Sequence, residues 1–281
     1  MVGIDGSPGS AAALQWAIEH ADRLGRVIPA MMFTSGPLDP ALIGATGSVR
    51  LTEPFRRHAE VALTTFLREH APDLVSDAVV ADQRPGPGLV ELARGSELLV
   101  LGTRGSSGRD DLSLGSIGAY CARHATVPVA LIPGDLPPPD GRLSVVVGVD
   151  GSPHSEHALK WTLDHVRRSA LVTAVHVTTE GSVVGDPLSA STSRVEADAR
   201  RDLEDIVARI EPHAEGHPEI EIVVVPGDPR DVLGSVVADA DLLVVGARGH
   251  GMIHRLLLGS VAIALAHHPT LPTIIVPDGR F

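Results

Sequence analysis

Aromatic residues are nearly missing from the chain: they make up 2% of its 281 positions, whereas hydrophobic residues make up 43%. Any core must therefore be built from Val, Leu, Ile and Ala, which suits buried parallel strands covered by aliphatic helices. Cysteine is as scarce. Cys121 stands alone, which excludes an intrachain disulfide and a cysteine-based metal site. Its apolar helical surroundings place it in a core rather than at a reactive surface. Lysine is reduced to Lys160, so no phosphate motif that depends on lysine is available. Neither a G-x-x-x-x-G-K-[ST] loop nor a G-x-G-x-x-G turn after the first strand is present. No apolar run reaches the roughly 18 residues of a membrane span. The N-terminus lacks a basic segment followed by an apolar one. The expectation is a soluble cytoplasmic protein with no membrane contact. Positive charge is also short, with a net charge of -12. That argues against a nucleic-acid partner, but not against a small anion held by backbone amides.

What the chain does have is a repeat. Residues 2–21 read VGIDGSPGSAAALQWAIEHA and residues 147–166 read VGVDGSPHSEHALKWTLDHV, with eleven of twenty positions identical at an offset of 145. Both tryptophans, Trp16 and Trp161, fall in these segments. Gly102, Gly105, Gly115 and Ser116 recur as Gly246, Gly249, Gly259 and Ser260 at an offset of 144, so one residue is deleted in between. Units of this size are duplicated domains, not solenoid repeats. The reading is a first domain over 1–134, a proline-rich linker over 135–142, and a second domain over 143–281.

The second half shows the element order most clearly. Leu143–Val149 is a continuous β-branched run, the pattern of a fully buried strand. Helical spacing follows over Ser155–Arg167, then a strand over Leu171–Val177 and a helix over Arg194–Ile210. Ile220–Val225, Leu242–Val245 and Thr273–Val276 are predicted as strands, with helices over Asp231–Ala238 and Ser260–His267. The first half follows the same order, although its first strand has only Met1–Ile4 before Asp5. Alternating strands and helices of this kind predict an α/β fold: two tandem doubly wound parallel five-stranded sheets with helices on both faces.

Ligands of such sheets sit at the carboxyl ends of strands. Two features fall there. One is the acidic turn Gly3-Ile4-Asp5-Gly6-Ser7 and its twin Gly148-Val149-Asp150-Gly151-Ser152. The other is a glycine loop, Gly102-Thr103-Arg104-Gly105 or Gly246-Ala247-Arg248-Gly249, followed by Gly115-Ser116 or Gly259-Ser260 at a helix start. Glycines let the backbone approach a phosphate, successive amides form an anion nest, and the helix start adds donors and a positive dipole end. Arg104 and Arg248 supply charge. An ionised carboxylate after the first strand accepts hydrogen bonds from ribose or adenine. Taken singly, these elements also read as a turn, an N-cap and an Asx-turn. Their joint recurrence in both halves favours binding.

The Gly-x2-Gly-x9-Gly-Ser pattern after a strand ending in glycine, with Asp closing the first strand, resembles the universal stress protein family in its ATP-binding class. The resemblance covers nearly the whole chain and is to the tandem form of actinobacteria. It implies strand order 3-2-1-4-5 and ATP, alone or with Mg, between the ends of the first and fourth strands. By position, Asp5 and Asp150 contact the adenosine part, Gly3 and Gly148 line the pocket, and Phe33 and Val177 border the adenine. Gly102, Thr103, Arg104, Gly105, Ser106, Ser107 and Gly108 wrap the phosphates, as do Gly246, Ala247, Arg248, Gly249, His250, Gly251 and Met252. Gly115, Ser116 and Ile117 assist in one half, and Gly259, Ser260, Val261 and Ala262 in the other. The family often has a second hydroxyl two residues after that Ser. Gly118 and Ala262 stand there instead, so one phosphate contact per site is lacking. Gln83 opposite Gly227 gives the two sites different shapes. The resemblance also implies a homodimer through edge strands. The fifth strands, Val129–Ile132 and Thr273–Val276, are apolar and must be covered, by each other or across chains.

Three functions remain in play: an ATP-binding regulator of stress response or growth state with at most slow hydrolysis, an adenine-nucleotide enzyme, and an interaction scaffold that has lost its nucleotide. An adenylating enzyme of related fold needs a Ser-Gly-Gly-x-Asp-Ser loop, which Asp5-Gly6-Ser7-Pro8 is not. Fourteen histidines raise the question of metal. His154 with His157 and His267 with His268 lack third and fourth ligands, so no metal site is expected.

Overall fold

The computed structural model describes residues 1–35, 52–103, 115–134, 141–178, 190–210, 218–237, 240–249, 258–267 and 270–277. Five strands lie in each half: β1 (Val2–Gly3), β2 (Pro29–Phe33), β3 (Val79–Asp82), β4 (Leu99–Gly102) and β5 (Val129–Ile132), then β6 (Ser144–Gly148), β7 (Leu171–Thr178), β8 (Glu219–Pro226), β9 (Leu242–Gly246) and β10 (Thr273–Val276). Among the described residues the helices of eight residues or more are α1 (Pro8–Glu19), α2 (Thr52–His70), α3 (Pro85–Leu92) and α4 (Ser116–His124), then α5 (Pro153–His165), α6 (Ala190–Ile210), α7 (Pro229–Val236) and α8 (Ser260–His267). Helix α6 begins four residues before its expected start at Arg194, because Ala190-Ser191-Thr192-Ser193 carries no apolar periodicity to mark it. Proline at the first helical position opens α1, α3, α5 and α7, where its missing N–H costs nothing.

Within each half the strands are parallel and ordered 3-2-1-4-5, as expected. The halves then join edge to edge. The full order is β3-β2-β1-β4-β5-β10-β9-β6-β7-β8 in one ten-stranded sheet. The joining ladder, β5 with β10, is antiparallel and pairs Leu131 with Thr273, Ala130 with Ile274 and Val129 with Ile275. Ala130 and Ile274 are equivalent positions under the 144-residue offset, so a local two-fold axis passes between them. The fifth strands thus cover one another inside one chain. Pairing of two chains through them, the other arrangement open at the sequence level, finds both strands already occupied. The outer edges are β3 and β8.

Alternation along the joining strands divides the core between the two faces of the sheet. Ala130, Ile132, Ile274 and Val276 belong to the core beneath α1, α2, α5 and α6. Val129, Leu131 and Ile275 belong to the one beneath α3, α4, α7 and α8. Both cores run unbroken from one half into the other. Each fully buried aliphatic side chain contributes about 1.5–3 kcal/mol, so the seam is held by packing. Across it the exposed pair Arg167–Asp22 (3.3 Å) and the contact of partly buried His165 with exposed Glu97 (3.5 Å) add little. Among the described residues no helix is long and apolar enough to cross a membrane.

Cys121 lies in the second core at 0% exposure, its Sγ directed at the Gly86 carbonyl at 3.8 Å. Burial pushes its thiol up to about 12. Alkylation requires the thiolate, so the native protein is expected to resist iodoacetamide at pH 8 and to take up one equivalent in guanidinium chloride. Rapid labelling of the folded chain would contradict this packing.

Candidate nucleotide site

The Asp-Gly-Ser turn is built alike in both halves. Asp5 Oδ1 accepts from the Ser7 amide (3.0 Å) and hydroxyl (2.5 Å), and Asp150 Oδ1 from the Ser152 amide (3.0 Å) and hydroxyl (2.6 Å). The intervening glycines have φ of 78° at Gly6 and 80° at Gly151, a left-handed conformation that other residues adopt at a cost. Each serine then caps its helix: Ser7 Oγ accepts from the Ser10 amide at 3.1 Å and Ser152 Oγ from the Ser155 amide at 3.3 Å. The carboxylate, turn and helix start therefore form one hydrogen-bonded unit at the end of the first strand.

The fourth strand ends against the same helix. A Cβ placed on Gly102 would lie 2.5 Å from the carbonyl carbon of Gly9, and one on Gly246 would lie 2.8 Å from that of His154. These glycines let the strand end and helix backbone touch. The chain later returns to this point: the Gly115 amide donates to the Thr103 carbonyl (3.2 Å) and the Gly259 amide to the Ala247 carbonyl (2.8 Å). Gly115 starts α4 without any side-chain cap, so the first amides of that helix open toward the strand ends. In the second half the glycine loop rests on the acidic turn. A Cβ on Gly249 would strike Asp150 Oδ2, and the Ser152 hydroxyl lies 3.5 Å from the Arg248 carbonyl. Nearby, Asp228 caps α7, and side-chain bonds from Arg230 hold its carboxyl down at about 2.

A cavity of about 270 Å³ in the first half brings together Gly3, Asp5, Gly102, Thr103, Gly115, Ser116 and Ile117. One of about 1010 Å³ in the second half brings together Gly148, Asp150, Val177, Gly246, Arg248, Gly249, Gly259, Ser260, Val261 and Ala262. Ala247 sits just beneath that surface, 6% exposed. Arg104, Gly105, Ser106, Ser107, Gly108, His250, Gly251 and Met252 lie outside the described residues. Phe33 is a correction. The ladders pair Gly3 with Ala30 and Gly148 with Val175, which makes Met32 the equivalent of Val177. Met32 lines the first cavity. Phe33 is one residue further, on the opposite face of the strand, where its ring lies 5.9 Å from the Arg56 guanidinium.

Sequence reasoning passed over Pro85 with Leu89 and Pro229 with Leu233, which line the two cavities. Both pairs recur at the 144-residue offset, a signal that was available. Residues on α6, among them Asp198, Asp202 and Arg209, extend the second cavity and have no repeat signature to reveal them. His20 and His165 stack on Trp16 and Trp161 at 4.1 and 4.5 Å between ring centroids. Each Nδ1 lies 2.8 Å from the tryptophan carbonyl; because a carbonyl only accepts, Nδ1 carries the proton. Among the described residues no three His, Cys, Asp or Glu side chains gather as a metal site.

Comparison with known proteins agrees with this architecture. The model of the universal stress protein family matches residues 1–133 and again 142–277. A universal stress protein of Mycobacterium tuberculosis is 35% identical over 226 residues, covering 73% of this chain and 74% of that protein. One of Mycolicibacterium smegmatis is 28% identical over 291 residues, covering 98% and 96%. The crystal structure of a universal stress protein from Archaeoglobus fulgidus superposes with a TM-score of 0.68 at 18% identity, over 99% of this chain and 98% of that one, a likeness of fold. With a family match over each half and related proteins along nearly its full length, the chain belongs to the universal stress protein family, as a tandem of two such domains.

Proposed function

We propose that the protein binds ATP at the ends of the first and fourth strands and acts as a nucleotide-dependent regulator of stress response or growth state. The observation that carries this reading is the second cleft. There the Asp150 carboxylate, the Gly249 backbone, Arg248 and the start of α8 line one space. An acceptor for the ribose or base sits at one end, and amide donors, a dipole and a cation for phosphate sit at the other. Asp5 and Asp150 are tied to Ser7 and Ser152, which suits them to accept bonds from ligand hydroxyls and not to move a proton. ATP hydrolysis is accordingly slow or absent, and the readout is a bound state.

The test is nucleotide content. Protein purified without added ligand, then denatured, is expected to release ATP, as identified by chromatography. Gly249→Ala should lower the affinity for ATP about tenfold or more. The new methyl group falls on Asp150 Oδ2, and Asp150 cannot swing aside without losing both bonds from Ser152. No nucleotide on isolation and no uptake from millimolar ATP would overturn the proposal.

A further inference from the structure

The two clefts share a plan and differ in calibre. Equivalent positions can be paired through the ladders and the repeat offsets. Met32 stands where Val177 stands, Phe33 where Thr178 does, and Leu101 where Val245 does. Thr103 corresponds to Ala247 and Ile117 to Val261. In each of these five pairs the first half has the larger side chain; four of them line the first cleft, and Phe33 lies on the far face of β2. Two pairs run the other way, Ala30 with Val175 by two carbons and Gly118 with Ala262 by one.

The effect is visible in the packing. A Cβ on Gly3 would lie 2.6 Å from Leu101 Cδ2 and 3.2 Å from Leu89 Cδ1, whereas one on Gly148 would lie 3.4 Å from both Leu233 Cδ1 and Val245 Cγ1. Leu101 therefore lies down on the floor of the first cleft, and Val245 leaves the second floor open. Gln83, which replaces Gly227, presses on the same region: a Cβ on Gly88 would lie 2.9 Å from Gln83 Cβ and 2.6 Å from Met32 Sδ. The first cavity, about 270 Å³, falls below the roughly 300–1,000 Å³ of small-molecule sites. The second, about 1010 Å³, fills that range, and part of it runs past His176 and Thr178 along α6. In the first half Phe33, in the place of Thr178, is packed against the core on that face of the sheet.

We infer that the protein carries one tightly held nucleotide per chain, in the second half, and that Met32 and Leu101 narrow the first cleft so that it binds at least about tenfold more weakly. The inference rests on the proposed function and adds which half performs it. Duplication then leaves one half as the ligand-bearing unit and the other as its structural mate across the seam.

The full-length chain and ATP test this. Equilibrium dialysis with radiolabelled ATP should give close to one site per chain at concentrations that saturate it, and photolabelling with an azido-adenine analogue should mark peptides from the second half. Asp5→Ala should leave the tight site intact, and Gly249→Ala should weaken it about tenfold or more. The double variant Met32→Val with Leu101→Val, which gives the first cleft the residues of the second, should raise the count toward two. Calorimetry on each variant confirms that it is folded. Two sites of equal affinity in the unaltered chain, or a tight site that survives Gly249→Ala and is lost with Asp5→Ala, would overturn the inference and leave ATP binding standing. Absence of binding in both halves would overturn both.

Discussion

Gly102→Ala is expected to lower the melting temperature of the protein by about 5 °C, the equivalent of about 3 kcal/mol in a chain of this size. The added Cβ would sit 2.5 Å from the carbonyl carbon and 3.0 Å from the Cα of Gly9. Both are backbone atoms in the first turn of α1, so no side-chain rotation can relieve the clash. The helix must lift from β4, and it carries Ala13 and Leu14, which are 0% and 1% exposed. Gly246→Ala is the same experiment in the second half, with a slightly looser contact of 2.8 Å to the His154 carbonyl carbon, and should cost somewhat less. Gly95→Ala separates close approach from backbone conformation. Gly95 has φ of 82° and open space where its Cβ would go, so only the left-handed conformation is penalised, by about 1 kcal/mol. The expected ranking by calorimetry is Gly102→Ala, then Gly246→Ala, then Gly95→Ala. A Gly102→Ala melt no lower than that of Gly95→Ala would show that strand and helix do not meet at Gly9.

The same glycines explain why so much of the candidate site could be read before the structure. Gly6 and Gly151 are demanded by a left-handed turn, and Gly102 and Gly246 by backbone contact. Constraints of this kind leave few substitutes, so the duplicated halves retain them and the repeat exposes them. The parallel sheet was legible for a related reason: continuous β-branched runs are buried on both faces, and the alternating helices impose parallel strands, whereas the strand order came only with the family resemblance.

Three features were not legible, each for a physical reason. Pro29–Phe33 is apolar at every position, so no alternation says which side chains face the cleft, and a one-residue choice put Phe33 where Met32 belongs. The unequal calibre of the clefts is written in pairs such as Leu101 and Val245, but their meaning depends on that same register. The seam was half legible. Apolar fifth strands demand a cover, but propensity treats a strand from the same chain and one from another chain alike. The facing of Ala130 on Ile274 decides it, and that is a tertiary fact.

That seam leads to the second large effect. The unaltered protein should unfold in a single calorimetric transition, because both cores cross from β5 to β10 and neither half can lose its fifth strand without uncovering the other. Ile274→Asp should abolish that behaviour. Ile274 and Ala130 are both at 0% exposure, and they face each other on the local axis. Replacement removes a buried aliphatic side chain, worth about 2–5 kcal/mol. It also puts a carboxylate where water is excluded, a further several kcal/mol unless it takes up a proton. The sum is comparable to the entire stability of an ordinary domain, about 5–15 kcal/mol. Two outcomes agree with the fused sheet: a chain that no longer folds, or one whose halves melt separately and at lower temperature. Ile274→Val keeps the seam apolar and should cost about 1 kcal/mol with the single transition preserved, which shows that charge in the seam, and not alteration of position 274 as such, breaks the coupling. A single transition in Ile274→Asp within two or three degrees of the unaltered chain would mean that the halves are not joined through β5 and β10.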